Sequence, residues 1–179
     1  RFTDFDGVAV TSIETGGSTI LTAGAAVTQT GAIVSDKLGL SGAGSFTLNS
    51  ASLGTPINQV STFASDASGA VNFSSQLALT IGSVNPVGIT SHGANVTILA
   101  PSIDASGSTI DTRSSADSSA GGSVTLTTSG AGAAGNLSTG DIITSGTAAT
   151  ASSGDGGGAA GNVTRSEEHT SELQSPLNI

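Results

Sequence analysis

A chain of 179 residues has the length for a globular core, but five Phe, no Trp, Tyr, Met or Cys and 26 Gly leave too little bulk to fill one at normal packing density. A net charge of −9 with only four basic residues excludes a basic patch and argues against a nucleic-acid partner. The absence of Cys excludes disulfides and thiolate metal sites, and no apolar run approaches the roughly 20 residues of a membrane helix.

Charged residues are 9% of the chain and mean hydropathy is positive, a composition unlike that of disordered segments. The first residues carry no initiator Met, basic n-region or apolar h-region, so the chain reads as an internal fragment.

Residues 1–17 read as an incomplete first turn of a coil, with Val8 and Val10 alternating around Ala9. Asp4-Phe5-Asp6-Gly7 has the residue types of a calcium loop but neither the further oxygen ligands nor the distal Glu, and is read as a turn. Strands are expected at 18–23 and 26–30, split by Gly24, and Leu38 and Leu40 alternate into Gly42.

A glycine, a small polar step and an apolar-polar-apolar triplet then recur. They appear as Gly44-Ser45-Phe46-Thr47-Leu48, Gly69-Ala70-Val71-Asn72-Phe73, Gly93-Ala94-Asn95-Val96-Thr97-Ile98 with one residue inserted, and Gly122-Ser123-Val124-Thr125-Leu126. Phe46 to Val71 and Val71 to Val96 are both 25 residues. A second pair, Gly17-Ser18-Thr19-Ile20-Leu21-Thr22 and Gly107-Ser108-Thr109-Ile110-Asp111-Thr112, differs at one position in six. Such periods mark a repeat architecture.

Val60 and Phe63 break alternation, which places a corner at Ser61-Thr62. Val71, Phe73, Leu77, Leu79 and Ile81 are expected to face inward, and Pro86 closes that segment because it cannot sit in a central ladder. From about Ala105 the linkers swell with small residues, at 114–122 and 147–161, and are read as Gly/Ser/Ala-rich protruding loops. Strands continue at 109–112, 123–128, 137–138, 141–144 and 162–164. No window carries an apolar stripe at 3.6 spacing, so essentially no helix is expected before residue 165.

Short strands with two inward side chains are unstable alone and must stack turn on turn. The sequence therefore predicts an all-β, right-handed parallel β-helix (β-solenoid). At roughly 20–25 residues per turn, residues 1–164 make about seven or eight turns, a rod of roughly 35–40 Å. Phe46, Val71, Val96 and Val124 form one inward column, and Leu48, Phe73, Ile98 and Leu126 its neighbour. Thr47, Asn72, Thr97 and Thr125 face water, and the glycine before each strand supplies a tight corner. An antiparallel sandwich would need hairpin signals such as Asn-Gly between equal strands, and the chain has no Asn-Gly dipeptide.

Candidate chemistry is sparse. Gly130-Ala131-Gly132-Ala133-Ala134-Gly135 matches G-x-G-x-x-G with Asp155 twenty residues on, but Asn136-Leu137-Ser138 is a poor helix start, so a coil corner is the better reading and no cofactor is expected. His92 lies near Asp104 in sequence, yet no G-x-S-x-G elbow offers a triad scaffold, and one such His without Cys argues against zinc. Asp104, Asp111 and Asp117 are candidates to approach Arg113, the grouping a carbohydrate-cleaving β-helix would use, against the plainer reading of a solvated face. Gly154-Asp155-Gly156 is the nearest approach to a calcium nonapeptide repeat and does not recur. Thr28/Thr30, Thr97 and Thr125/Thr127 are too irregular for an ice-binding array. The sequons at Asn72, Asn95, Asn136 and Asn162 are read as amides that bond corners. No catalytic, cofactor or metal residue is assigned.

At Arg165 the texture breaks. Arg165-Ser166-Glu167-Glu168-His169-Thr170-Ser171-Glu172-Leu173-Gln174-Ser175 resembles the conceptual translation of a sequencing-library adapter, so 165–179 is expected to be a non-native tail. Ser166 followed by acidic residues allows a short helix over 167–173.

Val27-Thr28-Gln29-Thr30-Gly31, Leu38-Gly39-Leu40-Ser41-Gly42-Ala43-Gly44, and Gly122-Ser123-Val124-Thr125-Leu126 with Gly135-Asn136-Leu137-Ser138-Thr139-Gly140-Asp141-Ile142 resemble the degenerate strand repeats of large bacterial surface exoproteins, the filamentous-haemagglutinin-like and autotransporter-like adhesins. The resemblance covers residues 1–164. It implies a right-handed parallel β-helix, export to the cell surface, and a structural or adhesive rod that meets a glycan or protein on a host or neighbouring cell. The alternative expectation is a fragment of a carbohydrate-active β-helix enzyme.

Overall fold

The computed structural model of the chain describes residues 1–4, 6–52, 54–130, 135–148 and 157–167. Among them, twenty strands account for the regular structure, with no α-helix. In chain order they are β1 (Phe2–Asp4), β2 (Val8–Val10), β3 (Ile13–Glu14), β4 (Ser18–Ala23), β5 (Val27–Gln29), β6 (Ile33–Gly42), β7 (Phe46–Leu48), β8 (Ala51–Ser52), β9 (Thr55–Pro56) and β10 (Gln59–Ala67). There follow β11 (Val71–Ser74), β12 (Leu79–Ile81), β13 (Ile89–Thr90), β14 (Val96–Ala100), β15 (Ile103–Ala105), β16 (Ile110–Asp111), β17 (Val124–Thr128), β18 (Leu137–Thr139), β19 (Ile142–Ile143) and β20 (Val163–Glu167).

The apolar-polar-apolar triplets pair with their own repeats. They build a seven-stranded sheet in the order β2-β5-β7-β11-β14-β17-β20, parallel throughout. Val8, Val27, Phe46, Val71, Val96, Val124 and Val163 stand in one column of its register. The middle five are buried, while Val8 is half-buried and Val163 is 46% exposed at the two outer strands. Leu48, Phe73, Ile98 and Leu126 form the second inward column as expected.

The remaining long strands form an eleven-stranded parallel sheet whose main path is β1-β4-β6-β10-β12-β15-β18. The chain visits the two sheets in alternation, a topology consistent with a β-solenoid. Among the described residues the antiparallel exceptions are the β8–β9 hairpin and a bridge between Ser83 and Val87. The step from one rung of the seven-stranded sheet to the next grows along the chain. It is 19 residues from Val8 to Val27, 25 from Phe46 to Val71, 28 from Val96 to Val124 and 39 from Val124 to Val163.

The core lies between the sheets and is two side chains thick. Phe63 of β10 stacks on Phe73 of β11 with centroids 4.5 Å apart and planes 11° from parallel, which ties one sheet to the other. Leu21, Leu40, Ser65, Ile89 and Ile110 are successive partners in one column of the larger sheet. Ser65 is the polar member of that column, fully buried, and its hydroxyl has no hydrogen-bond partner.

The corner glycines are needed for space. A Cβ on Gly122 would lie 1.9 Å from the carbonyl oxygen of Ala94, one rung away, and a Cβ on Gly44 would lie 1.9 Å from that of Ala25. Where Ala94 holds the equivalent place, the inserted residue is absorbed by two consecutive left-handed residues, His92 (φ 51°) and Gly93 (φ 96°).

Two sequence expectations are corrected, and one repeat pair turns out to differ in facing. No corner between two strands stands at Ser61-Thr62: alternation does break there, with Ser61 and Thr62 both half-buried between buried Val60 and Phe63, but β10 passes through unbroken, Val60 pairing with Ser35 and Thr62 with Lys37. Leu77 is 39% exposed. The chain turns at Ser75, whose Oγ accepts the Leu77 N–H, and alternation does not carry through the turn. The two near-identical hexapeptides face opposite ways. Leu21 is buried with Ile20 half-buried outside, whereas in the second copy Ile110 takes the inward column. Asp stands at 111 where Leu stands at 21, and a carboxylate cannot replace a buried aliphatic, so the copy slips by one residue and every side chain changes face.

At the far end β20 runs to Glu167, and all five of its residues are exposed. Arg165 pairs with Leu126 in register and donates from Nη2 to the Leu137 carbonyl at 3.1 Å. Of the segment considered for a short helix, Glu167 closes this strand and the remainder lies outside the described residues.

Candidate functional site

Alternation that sends Leu21, Leu40, Ser65, Ile89 and Ile110 inward sends their neighbours out. Thr22, Ser41, Asp66, Thr90 and Asp111 therefore form a polar ladder on the outer face of the larger sheet, each the register partner of the next. Thr22 and Ser41 share a hydroxyl–hydroxyl bond of 2.8 Å. His92 lies two residues beyond Thr90. Its left-handed backbone turns the ring so that Nε2 lies 2.9 Å from Asp66 Oδ1. Arg113 lies two residues beyond Asp111 and grips it with Nε at 3.0 Å from both carboxylate oxygens and Nη2 at 2.5 Å from Oδ2.

Two shallow clefts flank the ladder and share Thr90 and Asp111. One, of about 320 Å³, includes His92, Arg113 and Ser114. The other, of about 520 Å³, includes Ser106, Ser108, Asp141 and the 69%-exposed Val87.

Two carboxylates of the larger sheet, Asp111 and Asp104, are held below the ordinary range. Arg113 hydrogen-bonded to Asp111 keeps that carboxyl below the ordinary range, with a smaller contribution from the charge of His92. Asp104 is likewise lowered, by the Ser106 hydroxyl at 2.6 Å and the Ser106 N–H at 3.0 Å. A general acid working near neutrality needs the opposite shift. Because Asp111 has a depressed folded value, the Arg113 contact stabilises the fold above the unfolded carboxylate value near 3.9 and is lost as pH falls through the folded value. Arg113→Ala is expected to move the Asp111 midpoint up toward the ordinary value and to start acid unfolding at higher pH. Carbon-detected NMR titration of the carboxyl checks the first and circular dichroism against pH the second.

Of the carboxylates proposed to gather at Arg113, Asp111 does so. Asp104 is bonded to Ser106, and Asp117 stands in a turn where its carbonyl accepts the Ser119 hydroxyl. His92 meets Asp66, which sequence reasoning passed over, and not Asp104. Asp4 Oδ1 accepts the Asp6 N–H at 2.8 Å beside Gly7 at φ 93°, a turn as expected. Among the described residues no group of three or more His, Asp or Glu is placed to hold a metal ion. Residues 131–134 of the glycine-rich motif, with Asp155, lie outside the described residues, as does most of the 154–158 segment.

Asn95 bonds a corner, but across rungs: its Oδ1 accepts the Ser123 N–H at 2.8 Å. The outer threonines are more regular than their spacing in sequence suggests. Thr47, Asn72, Thr97, Thr125 and Thr164 are successive register partners on the seven-stranded sheet. The parallel outer column is broken by Leu99, which partners Ser74 and Thr127.

No known protein family, curated protein or solved structure shows significant similarity to this chain.

Proposed function

We propose that residues 1–164 are a structural and adhesive rod segment of a secreted or surface-anchored bacterial exoprotein of the filamentous-haemagglutinin-like or autotransporter-like kind. In this reading the two parallel sheets belong to a right-handed β-helix of about seven or eight turns, and 165–179 is a non-native tail. The rod projects from the cell and meets a glycan or protein on a host or neighbouring cell. The observation that carries it is the continuous register of the seven-stranded sheet, in which one column runs from Val8 to Val163 without a break. Such a stack grows by adding rungs, as a stalk requires.

A second reading, a fragment of a carbohydrate-active β-helix, draws on Asp66, His92, Asp111 and Arg113 sharing one face. Beads coated with the chain should adhere to epithelial or bacterial cells above beads coated with an unrelated acidic protein. The chain should release no reducing or unsaturated ends from a panel of polysaccharides. Absence of adhesion with release of sugar ends that Asp111→Asn abolishes would replace the first reading with the second.

A further inference from the structure

The stack has two unlike ends. At one, β1 pairs with β4 and β2 with β5; at the other, β19 pairs with β16 and β20 with β17. Among the described residues these four strands are paired on one side only. A strand paired on one side presents its remaining N–H and C=O groups to any further strand. The β1–β2 end also opens into the core, through a groove of about 430 Å³ whose apolar lining includes Phe2, Val8, Val10, Ile13 and Leu21.

The two ends are complementary. One column of the larger sheet runs in register from Phe2 through Leu21, Leu40, Ser65, Ile89 and Ile110 to Ile142. The corresponding column of the seven-stranded sheet runs from Val8 to Val163. Each column begins and finishes on an apolar side chain left partly or largely exposed: Phe2 and Val163 are both 46% exposed, and Val8 and Ile142 are half-buried. We infer that the β1–β2 end of one copy of this chain docks on the β19–β20 end of a second copy, strand on strand and parallel, laying Phe2 over Ile142 and Val8 over Val163.

In that register Arg1 falls opposite Asp141. Each directly precedes the column residue of its strand, so alternation puts both on the outer face, and at a rung spacing of about 4.8 Å the two opposite charges are neighbours. Both are exposed. Unequal corners do not prevent the match. Val27 follows Leu21 by 6 residues and Val163 follows Ile142 by 21, yet both columns stay in register between those rungs. Arg165 stands at the end of the second inward column, as the partner of Leu126, but its guanidinium is drawn aside to the Leu137 carbonyl at 3.1 Å. Its aliphatic stem is left for Val10 of the second copy to cover. The contact uses different surfaces on the two copies and does not close on itself, so copies add end to end into a filament. The inference rests on the stacked rungs and not on the adhesive reading, which stands or falls separately by cell adhesion.

The test is sedimentation velocity of the full chain over a concentration series, with negative-stain electron microscopy of the concentrated samples. Species that grow with concentration, and unbranched filaments one stack wide, are expected. Val163→Lys, at an exposed position, should weaken association about tenfold or more, with an unchanged circular dichroism spectrum. Arg1→Glu should weaken it several-fold, and adding Asp141→Arg to Arg1→Glu should restore it. Phe2→Lys blocks the opposite end from Val163→Lys. Each of these variants alone should therefore sediment as a monomer, while their equimolar mixture should form dimers and stop there. A chain that is monomeric at every concentration, association that ends at a dimer in the unaltered chain, indifference to Val163→Lys, or a mixture that stays monomeric overturns the assignment.

Discussion

Asn58→Ala is expected to lower the unfolding free energy by about 3–5 kcal/mol, a large effect for a residue in a short polar stretch. Asn58 is fully buried where three rungs meet. Its Nδ2 donates to the carbonyls of Leu48 and Ser74, both at 2.9 Å, and its Oδ1 accepts the Ile33 N–H at 2.9 Å and the Gln29 amide. One side chain in the connection before β10 thus satisfies backbone groups of β6, β7 and β11. Truncation leaves two carbonyls and one N–H dry, and each such group costs about 1–3 kcal/mol.

Gln29→Ala should cost less, because Gln29 bonds Asn58, the Gly31 carbonyl and the Ser50 N–H at the margin of the same cluster. The pair should be non-additive in a double-mutant cycle by at least about 0.5 kcal/mol. Urea unfolding followed by far-ultraviolet circular dichroism supplies all three values. A loss below about 1 kcal/mol for Asn58→Ala would mean that water replaces the amide and that the cluster is not dry.

What could be read from the residues and what could not divide along a physical line. The column Phe46–Val71–Val96–Val124 was legible because each rung repeats its glycine, its alternation and its length, so local pattern and neighbour agree. Asn58 was not, because Pro56-Ile57-Asn58-Gln59 looks like any polar connection. Its burial comes from Ile33, Leu48 and Ser74, which lie on other turns of the chain. Asp66 was missed for a similar reason, since the neighbours that send it outward, Ser65 and Ala67, are small and give a weak alternation signal. The hexapeptide pair shows a different limit. Sequence identity marked the repeat, but a single Leu-to-Asp difference decided which face each copy turned inward. Of the candidate chemistry, only the Asp111–Arg113 contact was foreseeable from proximity in sequence. The His92–Asp66 pair joins adjacent rungs, which proximity in sequence does not show.

Phe73→Ala should be comparably damaging, at about 3–5 kcal/mol. Phe73 and Phe63 are both buried to within 1% and stacked, and they come from opposite sheets. Truncation opens a cavity in a core only two side chains thick, where no third layer can relax into it, and removes an aromatic contact of about 0.5–1.5 kcal/mol. Phe73→Leu keeps most of the volume and should cost under about 1.5 kcal/mol.

The position also matters. β11 is the fourth of seven rungs in its sheet. In a stack where each rung is held by its neighbours, a weak middle rung separates the structure into two partly independent halves. Unfolding of Phe73→Ala should therefore lose cooperativity as well as stability, seen as a reduced urea m-value and a calorimetric enthalpy exceeding the van't Hoff value. A variant that is destabilised with an unchanged m-value would show that the two sheets unfold as one unit despite the cavity, and that coupling along the stack is stronger than nearest-neighbour contacts alone provide.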